Sequence, residues 1–243
     1  MKNNDESIIN RLHRVSTATI ATNLFKRGLK NQFIQKVKPL SDVKHTMVGR
    51  AYTLRYIPAR EDLNSLEAFK NPRHLQRVAV EECPKNHVLV IDSRKDARAA
   101  SAGSILITRL MKRGVAGIVT DGGFRDSKEI AELDFPSFHV MPSAPTNLTL
   151  HQAIAVNEPI GCGDVAVFPG DFIVGDHDGV MVIPKDIADD VAIECLDMTL
   201  YEEFVMETVQ QGASVIGLYP LTDSKLISEF ELWKSKRNAT KNE

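Results

Sequence analysis

The chain has 243 residues, of which 43% are hydrophobic and 26% are charged, and its formal net charge at pH 7 is −2. This length is enough to bury a sizeable core, and no linker or repeat interrupts it, so we expect one domain over residues 1–243. Its 30 basic and 32 acidic residues are interspersed, which excludes the charge pattern of a protein that binds nucleic acid or an anionic membrane surface.

No apolar run approaches the ~18 residues of a membrane-spanning helix, and the first seven residues are polar, so we expect a cytoplasmic protein without a secretory signal. The three cysteines lack CxxC spacing, which argues against a zinc site or a disulfide framework.

The first third of the chain alternates helical and strand patterns. Ser7 is expected to cap a first helix, and a second covers Thr19 to Phe25. A strand is predicted from Val48 to Ile57, and the continuous apolar run from His87 to Ile91 is typical of a strand covered on both faces. Between these strands, residues 60–77 are charged and are predicted to be an irregular excursion over the core.

Residues 115–126, Val-Ala-Gly-Ile-Val-Thr-Asp-Gly-Gly-Phe-Arg-Asp, are the most informative stretch. An apolar strand is predicted to run into a glycine turn, which places Arg125 and Asp126 at the exit of the strand. An arginine can grip a carboxylate through two hydrogen bonds, and an aspartate is a hard oxygen ligand for a divalent metal. This chemistry suits a 2-oxo acid; the alternative is a surface turn whose Arg-Asp pair is only solvated.

The segment just before this loop is predicted to be a helix that ends at Gly114, with Ser104 near its N-cap. The backbone N–H groups of Gly103, Ser104, Ile105 and Leu106 are candidates for holding a small carboxylate at the start of this helix. The alternative is an ordinary helix packed on a sheet.

Beyond the loop, a short helix is expected from Ser127 to Leu133, then a strand from Phe135 to Met141, and a long helix from Ile187 to Gln211. Three more short strands are predicted between them: Val165 to Phe168, Phe172 to Val174 and Val180 to Ile183.

Residues 175–179, Gly-Asp-His-Asp-Gly, resemble a metal loop, but a hairpin turn explains every residue and is favoured. The apolar residues between Leu226 and Trp233 predict a tail, over about residues 213–243, that faces a partner or covers the core.

Three motifs in this order resemble one known family. They are Gly-Ser-Ile-Leu from Gly103, the run from Gly114 to Asp126, and the run from Pro169 to Pro184. The resemblance covers about residues 10–215 and is to the 4-hydroxy-4-methyl-2-oxoglutarate/4-carboxy-4-hydroxy-2-oxoadipate aldolase family. The regulator of ribonuclease E activity A is the non-catalytic branch of that family.

The resemblance implies an α/β fold, namely a single swivelling-type β/β/α domain with a helical segment over about residues 1–30 and helices at both ends. It also implies a homotrimer or hexamer with the active site at a subunit boundary. By the same resemblance, Arg125 binds the substrate carboxylate and Asp126 binds the divalent metal, Mg²⁺ or Mn²⁺.

The chain departs from the aldolases at Ser104, where they carry an acid that is thought to order the water handling the proton. A second acid of the aldolases comes from the C-terminal helix of a neighbouring subunit. The matching candidates are Glu202 and Glu203, and the distance from Gly212 favours Glu203.

The expected function is therefore a metal-dependent lyase that yields pyruvate through an enolate. Its substrate is a small 2-oxo acid, cleaved by retro-aldol reaction of a 4-hydroxy-2-oxo acid or by decarboxylation of oxaloacetate. One alternative is a Schiff-base aldolase with Lys112 or Lys128 as the nucleophile. The other is a non-catalytic regulator that binds an RNA-processing enzyme.

Overall fold

The structure is a computed structural model that describes residues 2–240. Seven α-helices lie in this range: α1 Lys2–Leu12, α2 Thr17–Lys26, α3 Leu75–Glu82, α4 Ser104–Lys112, α5 Ser127–Ala131, α6 Ala188–Gln210 and α7 Ser224–Thr240.

The strands of the first half are β1 Lys38–Pro39, β2 Met47–Pro58, β3 His87–Asp92, β4 Ala100–Ala102, β5 Gly117–Thr120 and β6 Gly123–Phe124. Those of the second half are β7 Ser137–His139, β8 Met141–Pro142, β9 His151–Val156, β10 Ile160–Cys162, β11 Val165–Val167, β12 Phe172–Gly175 and β13 Val180–Ile183. Within residues 2–240, no helix has the length and apolar character needed to cross a bilayer.

The chain divides into two compact units, residues 1–192 and residues 193–243. The first contains every strand in the described range and the helices from α1 to α5. The second contains most of α6 together with α7, and in it the Phe204 ring of α6 contacts the Phe230 and Trp233 rings of α7.

The large sheet of the first unit has the strand order β1-β7-β5-β3-β2-β12-β13, with β9 paired to β2. Strands β2, β3, β5 and β7 run parallel to one another, and the strands that flank them pair with β2 and β7 in the antiparallel direction. Successive side chains of β3 point to opposite faces, so that Leu89 and Ile91 join one hydrophobic cluster while Val88 and Val90 join another. Both faces of the sheet are thus covered, which explains the continuous apolar run of this strand.

A second, three-stranded sheet carries the site. In it β4 pairs with β6 and β6 with β8, all parallel, with Ala102 opposite Phe124. The crossover from β4 to β6 runs through α4 and β5, so the two small strands end side by side although 20 residues separate Ala102 from Gly123 in sequence.

The α/β class with helices at both ends is confirmed, as are the strand predictions for residues 48–57, 87–91, 165–168, 172–174 and 180–183 to within two residues at each end. The division into a helical segment, a single domain and a tail remains a prediction. The segment over residues 60–77 is more regular than expected, since it contains a 3₁₀ turn at Leu66–Lys70 and the start of α3.

The prediction that Ser7 caps the first helix is wrong, because Ser7 lies inside α1, which begins five residues earlier. Ser104 lies next to the N-cap of α4, as predicted, since that N-cap is Gly103. The N-cap of α5 is Asp126, and neither α4 nor α5 has a side-chain cap bond. Both helices begin directly where the chain leaves a strand of the small sheet, at Ser104 after β4 and at Ser127 after β6.

Candidate active site

The candidate site lies at the carboxyl end of the small parallel sheet. Gly103 follows β4, Arg125 and Asp126 follow β6, and Ser143 follows β8. Backbone hydrogen bonds hold these exits together: the Arg125 N–H donates to the Ala102 carbonyl at 3.1 Å, and the Ser143 N–H donates to the Phe124 carbonyl at 2.8 Å. Carboxyl ends of parallel strands share one edge of a sheet, where open α/β folds bind ligands.

Gly103 brings the two exits into close contact. Its φ of −130° and ψ of 178° are ordinary extended values, so backbone conformation does not require a glycine there. The space around Gly103 does require a glycine, because a Cβ at this position would lie 2.7 Å from Asp126 Oδ2 and 2.9 Å from Arg125 Cγ. The start of α4 and the Arg-Asp pair therefore face each other directly.

Ser104 binds the carboxylate of Asp126 with two groups. Its N–H donates to Oδ2 at 3.1 Å and its hydroxyl donates to the same oxygen at 3.2 Å. Arg125 Nε lies 3.6 Å from that oxygen, and the Arg125 and Asp126 side chains are 43% and 36% exposed. The pair is ordered by α4 and remains open to solvent.

Asp126 adopts a left-handed backbone conformation, with φ 59° and ψ 41°. Aspartate enters this region more readily than most residues, although it still carries some strain there. This conformation turns the chain sharply from β6 into α5, and the Asp126 carboxylate lies at this turn.

Buried contacts hold β6 in place. Phe124 is fully buried and stacks on His139 with ring centroids 5.3 Å apart. Burial of the imidazole lowers the pKa of His139 to about 4, so this ring is neutral at pH 7. Gly122, just before β6, is needed for space, because a Cβ there would lie 2.6 Å from Ser101 Oγ.

Asp121 joins two other segments to the end of β5. It accepts hydrogen bonds from the N–H groups of Ser93 at 2.6 Å, Lys95 at 3.1 Å and Gly163 at 3.1 Å. Burial raises the pKa of Asp121 to about 6, against the opposing effect of these donors. No role for this residue was predicted from the sequence.

A cavity of about 310 Å³ opens beside the Arg-Asp pair, a volume at the lower end of the range for small-molecule sites. It is lined by Phe69, Gln76, Arg77, Ala100, Ala102, Gly103, Ile105, Leu106, Arg125, Asp126, Thr146 and Asn147.

Two arginines make the field in this cavity positive. Arg77 stacks on Phe69, with Cζ 4.5 Å from the ring centroid. Burial lowers the pKa of Arg77; the nearby Tyr56 opposes this shift and the charge of Arg125 adds to it. Two guanidinium groups and one carboxylate around a small cavity favour an anionic ligand.

The donors at the site fit a hard divalent cation with few protein ligands. In the described range, no group of three or more His, Cys, Asp or Glu side chains is placed to share a metal ion. Asp126 is the one acid among the residues that line the cavity. Mg²⁺ is commonly held by one or two carboxylates together with water and substrate oxygens, and this donor set is compatible with that mode.

The structure thus brings together Gly103, Ser104, Arg125 and Asp126, while Ile105 and Leu106 line the same cavity. Glu203 lies in α6, in the second unit, where it pairs with Arg237 at 2.6 Å; its role in a neighbouring subunit remains a prediction.

The sequence also offered a metal loop and a Schiff-base lysine as alternative sites. Residues 175–179 form the turn between β12 and β13, as favoured, and Asp176 accepts hydrogen bonds from the N–H and hydroxyl of Thr17, both at 2.7 Å. Lys112 and Lys128 are exposed, whereas a Schiff-base nucleophile is a lysine that an apolar pocket removes from water.

Sequence reasoning missed Gln76, Arg77 and Asn147, which also line the cavity. Gln76 and Arg77 belong to a charged stretch that resembled a surface loop, and Asn147 lies in the short 3₁₀ turn Asn147–Thr149. The sequence signal that could have found Gln76 is its place among the buried positions of the short amphipathic helix α3.

The chain is similar to known proteins both in sequence and in fold. A family model described as RraA-like, Aldolase/RraA, matches residues 17–182. A protein of Halalkalibacterium halodurans with the provisional name 4-hydroxy-4-methyl-2-oxoglutarate aldolase is 35% identical over 162 residues, which are 65% of this chain and 68% of that protein.

A Thermus thermophilus protein named 4-hydroxy-4-methyl-2-oxoglutarate aldolase is 29% identical over 123 residues, covering 51% of this chain and 74% of that protein. Among solved structures, Streptomyces coelicolor RraAS2, described as an unusual member of the RNase ES inhibitor RraA protein family, aligns with a TM-score of 0.73. That alignment has 28% identity and covers 82% of this chain and 94% of RraAS2.

Proposed function

The chain belongs to the RraA-like, Aldolase/RraA family, and from this premise we propose that it is a divalent-metal-dependent lyase that releases pyruvate from a small 2-oxo acid. The observation that carries the proposal is the meeting of Arg125, Asp126 and the amino end of α4 at one small, positively charged cavity.

The residues of this chain act first by binding and orienting the substrate. Arg125 grips the 1-carboxylate, and its planar guanidinium fixes the direction of that group. The start of α4 adds backbone N–H groups and the positive end of the helix dipole on the same side.

Asp126 would hold Mg²⁺ or Mn²⁺, which when bound supplies a positive charge that polarises the 2-oxo group. Ser104 orients the Asp126 carboxylate by donating two hydrogen bonds to Oδ2, and the Asp126 carboxylate would supply the oxygen ligand of the cation.

Two reactions fit this arrangement, and both break the C3–C4 bond of the substrate and leave pyruvate. In decarboxylation of oxaloacetate, C4 departs as carbon dioxide and C3 gains a proton. In the retro-aldol reaction of a 4-hydroxy-2-oxo acid, C4 departs as a carbonyl compound, and a base must take the proton of the C4 hydroxyl. Glu203 of a neighbouring subunit is the candidate base.

The test is pyruvate release by the full chain from oxaloacetate and from a panel of 4-hydroxy-2-oxo acids. We expect excess chelator to abolish the activity and Mg²⁺ or Mn²⁺ to restore it. Asp126→Ala should eliminate metal-dependent turnover. Arg125→Lys should raise KM and lower kcat/KM about tenfold to a thousandfold, because the ammonium group of lysine cannot replace the bidentate hydrogen bonding of a guanidinium to the substrate carboxylate.

The chain offers a matched control in the exposed pair Arg60 and Asp62, which are also hydrogen-bonded to each other but do not line the cavity. Arg60→Lys and Asp62→Ala should leave kcat/KM unchanged. Turnover that survives chelator and is lost on borohydride trapping of a lysine would contradict the metal-dependent reaction. Absence of pyruvate from the whole panel would instead favour a regulator of an RNA-processing enzyme, since RraAS2 is described as a member of an RNase ES inhibitor family.

A further inference from the structure

Three buried hydroxyl groups join the small sheet to the large one. Ser93 follows β3, Ser101 lies in β4 and Thr120 ends β5, and all three residues are fully buried. The Ser101 hydroxyl shares a hydrogen bond of 2.7 Å with each of the other two, and the hydroxyls of Ser93 and Thr120 lie 3.1 Å apart. Because each hydroxyl donates one hydrogen and accepts others, these three side chains can bond around a ring, which we call the hydroxyl ring.

The hydroxyl ring contacts both strands that lead to the site. Ser101 is followed by Ala102, whose carbonyl accepts the Arg125 N–H at 3.1 Å. Thr120 Oγ1 accepts the N–H of Gly122 at 3.0 Å, and Gly122 is the residue before β6. A shift of the hydroxyl ring therefore moves the exits of β4 and β6, and with them the Arg125 guanidinium.

Asp121 holds the hydroxyl ring through Ser93. Its Oδ1 accepts the Ser93 N–H at 2.6 Å, while its Oδ2 accepts the N–H groups of Lys95 and Gly163, both at 3.1 Å. Asp121 is 1% exposed and is not among the residues that line the cavity. Its carboxylate therefore acts on the site only through the backbone that it holds.

The loop that contains Ser93 is strained. The next two residues, Arg94 and Lys95, have φ values of 58° and 59°, a left-handed conformation that residues other than glycine seldom adopt. Such a conformation persists only where surrounding contacts hold it. We therefore expect the loop to relax, and Ser93 to move away from Ser101, when the Asp121 carboxylate no longer accepts the Ser93 N–H.

We propose that Asp121 is a positioning residue of the site, which sets the place of Arg125 through Ser93 and Ser101. This inference rests on the proposed function, in which Arg125 binds the substrate carboxylate. That contact is made in the bound substrate as well as in the transition state, so its displacement raises KM more than it lowers kcat.

Asp121→Asn breaks the link to Ser93. The new side chain keeps two of the three accepted hydrogen bonds if its oxygen takes the place of Oδ2, and its NH₂ group then faces the Ser93 N–H. For the acid of the panel that turns over fastest, at saturating Mg²⁺, KM should rise about tenfold while kcat changes less than about twofold. A loss of stability alone would instead lower kcat with the folded fraction and leave KM unchanged.

Ser101→Ala breaks the next link and should also raise KM, by about threefold to tenfold. In the double variant with Asp121→Asn, KM should stay within about twofold of the larger single effect, because both changes interrupt the same path.

Two matched variants serve as controls. Asp164→Asn removes an exposed ion pair with Lys95 of the same loop, and Ser137→Ala removes a buried hydroxyl of β7 that donates to the Phe135 carbonyl. Both should leave KM unchanged, because neither side chain contacts the hydroxyl ring.

Hydrogen exchange provides a measurement that does not require turnover. In Asp121→Asn and Ser101→Ala, the Arg125 N–H should exchange about tenfold faster relative to the Ile118 N–H. The Ile118 N–H donates to the Pro136 carbonyl within the large sheet and reports on opening of the fold as a whole. An unchanged ratio of the two exchange rates in both variants would overturn the inference.

The outcomes separate the inference from the proposed function. If no acid of the panel yields pyruvate, the proposed function fails, and the exchange ratio alone decides the inference. If pyruvate is released but KM is unchanged in both variants, or the two KM effects multiply in the double variant, only the inference is overturned. It is also overturned if Asp164→Asn or Ser137→Ala raises KM as much as Asp121→Asn, since this would show a general effect of destabilisation.

Discussion

Gly103 illustrates how one residue without a side chain positions the two charged groups of the site. The close approach to Asp126 Oδ2 at 2.7 Å leaves no room for a methyl group. The atoms that a methyl group would displace belong to flexible side chains, so the fold can survive the change while the site geometry cannot.

Gly103→Ala should therefore lower kcat/KM for pyruvate release about tenfold to a hundredfold, because reacting groups displaced by about 1 Å lose alignment. Its free energy of unfolding should change by less than ~1 kcal/mol, the scale of a weakened N-cap. Gly161→Ala is the matched control, since nothing lies within 4 Å of a Cβ there. Equal kinetics for the two variants would show that Arg125 and Asp126 need no close contact with α4.

His139 makes the stability of the protein depend on pH. Its pKa in the folded protein is about 4, below the ordinary 6.5, so between these values the unfolded chain binds more protons than the folded one. The stabilisation is fully present above pH 6.5 and is lost as the pH falls towards 4. On lowering the pH from 6.5 to 4.5, wild type should lose up to ~1.4 kcal/mol of unfolding free energy per pH unit more than His139→Gln.

Urea unfolding of both proteins across this range measures the difference, and the other titrating groups largely cancel because the two proteins share them. Parallel pH dependence in wild type and His139→Gln would mean that the imidazole is protonated in the folded protein.

Among the elements, β5 is joined to two other segments by Asp121 rather than by strand pairing. The carboxylate binds the loop after β3 through Ser93 and Lys95, and the turn between β10 and β11 through Gly163. These contacts set the direction in which the chain leaves β5 on its way to β6.

Asp121→Asn should lower the free energy of unfolding by about 1–3 kcal/mol, because the new NH₂ group faces a backbone donor and leaves it unpaired. Asp164→Asn is the control, since Asp164 forms only an exposed ion pair with Lys95 and should cost less than ~1 kcal/mol. Denaturant unfolding distinguishes them. Equal losses would show that the buried contacts of Asp121 are not stabilising.

For the whole molecule, we predict a homotrimer or a larger assembly. Ile105, at the rim of the cavity, is 80% exposed, which leaves an apolar side chain without cover beside the site. The site also lacks the second acid that the retro-aldol reaction requires, and Glu203 of another subunit would supply it.

Light scattering at micromolar concentration should give at least three times the mass of one 243-residue chain. A single-chain mass would contradict the assembly and with it the placement of Glu203. The tail gives weaker support than expected, because Phe230 and Trp233 already contact Phe204 within their own unit.

The sequence alone determined the features that depend on local pattern. The apolar runs of β2, β3 and β5 predicted strands, and three ordered motifs predicted the family. Arg125 and Asp126 were found because they are adjacent in sequence and follow directly from a strand. The contacts of Asp126 with Ser104, and its close approach to Gly103, bring this pair to the start of α4.

Tertiary structure decided what depends on contacts between distant segments. Gln76 and Asn147 are 71 positions apart, and only the packing of α3 and the 3₁₀ turn at 147–149 against the small sheet brings these residues to one cavity. The N-caps of α4 and α5, Gly103 and Asp126, likewise lie where the chain leaves β4 and β6. Local sequence reports propensity, whereas the partners of a buried polar group are known only once every neighbouring segment is in place.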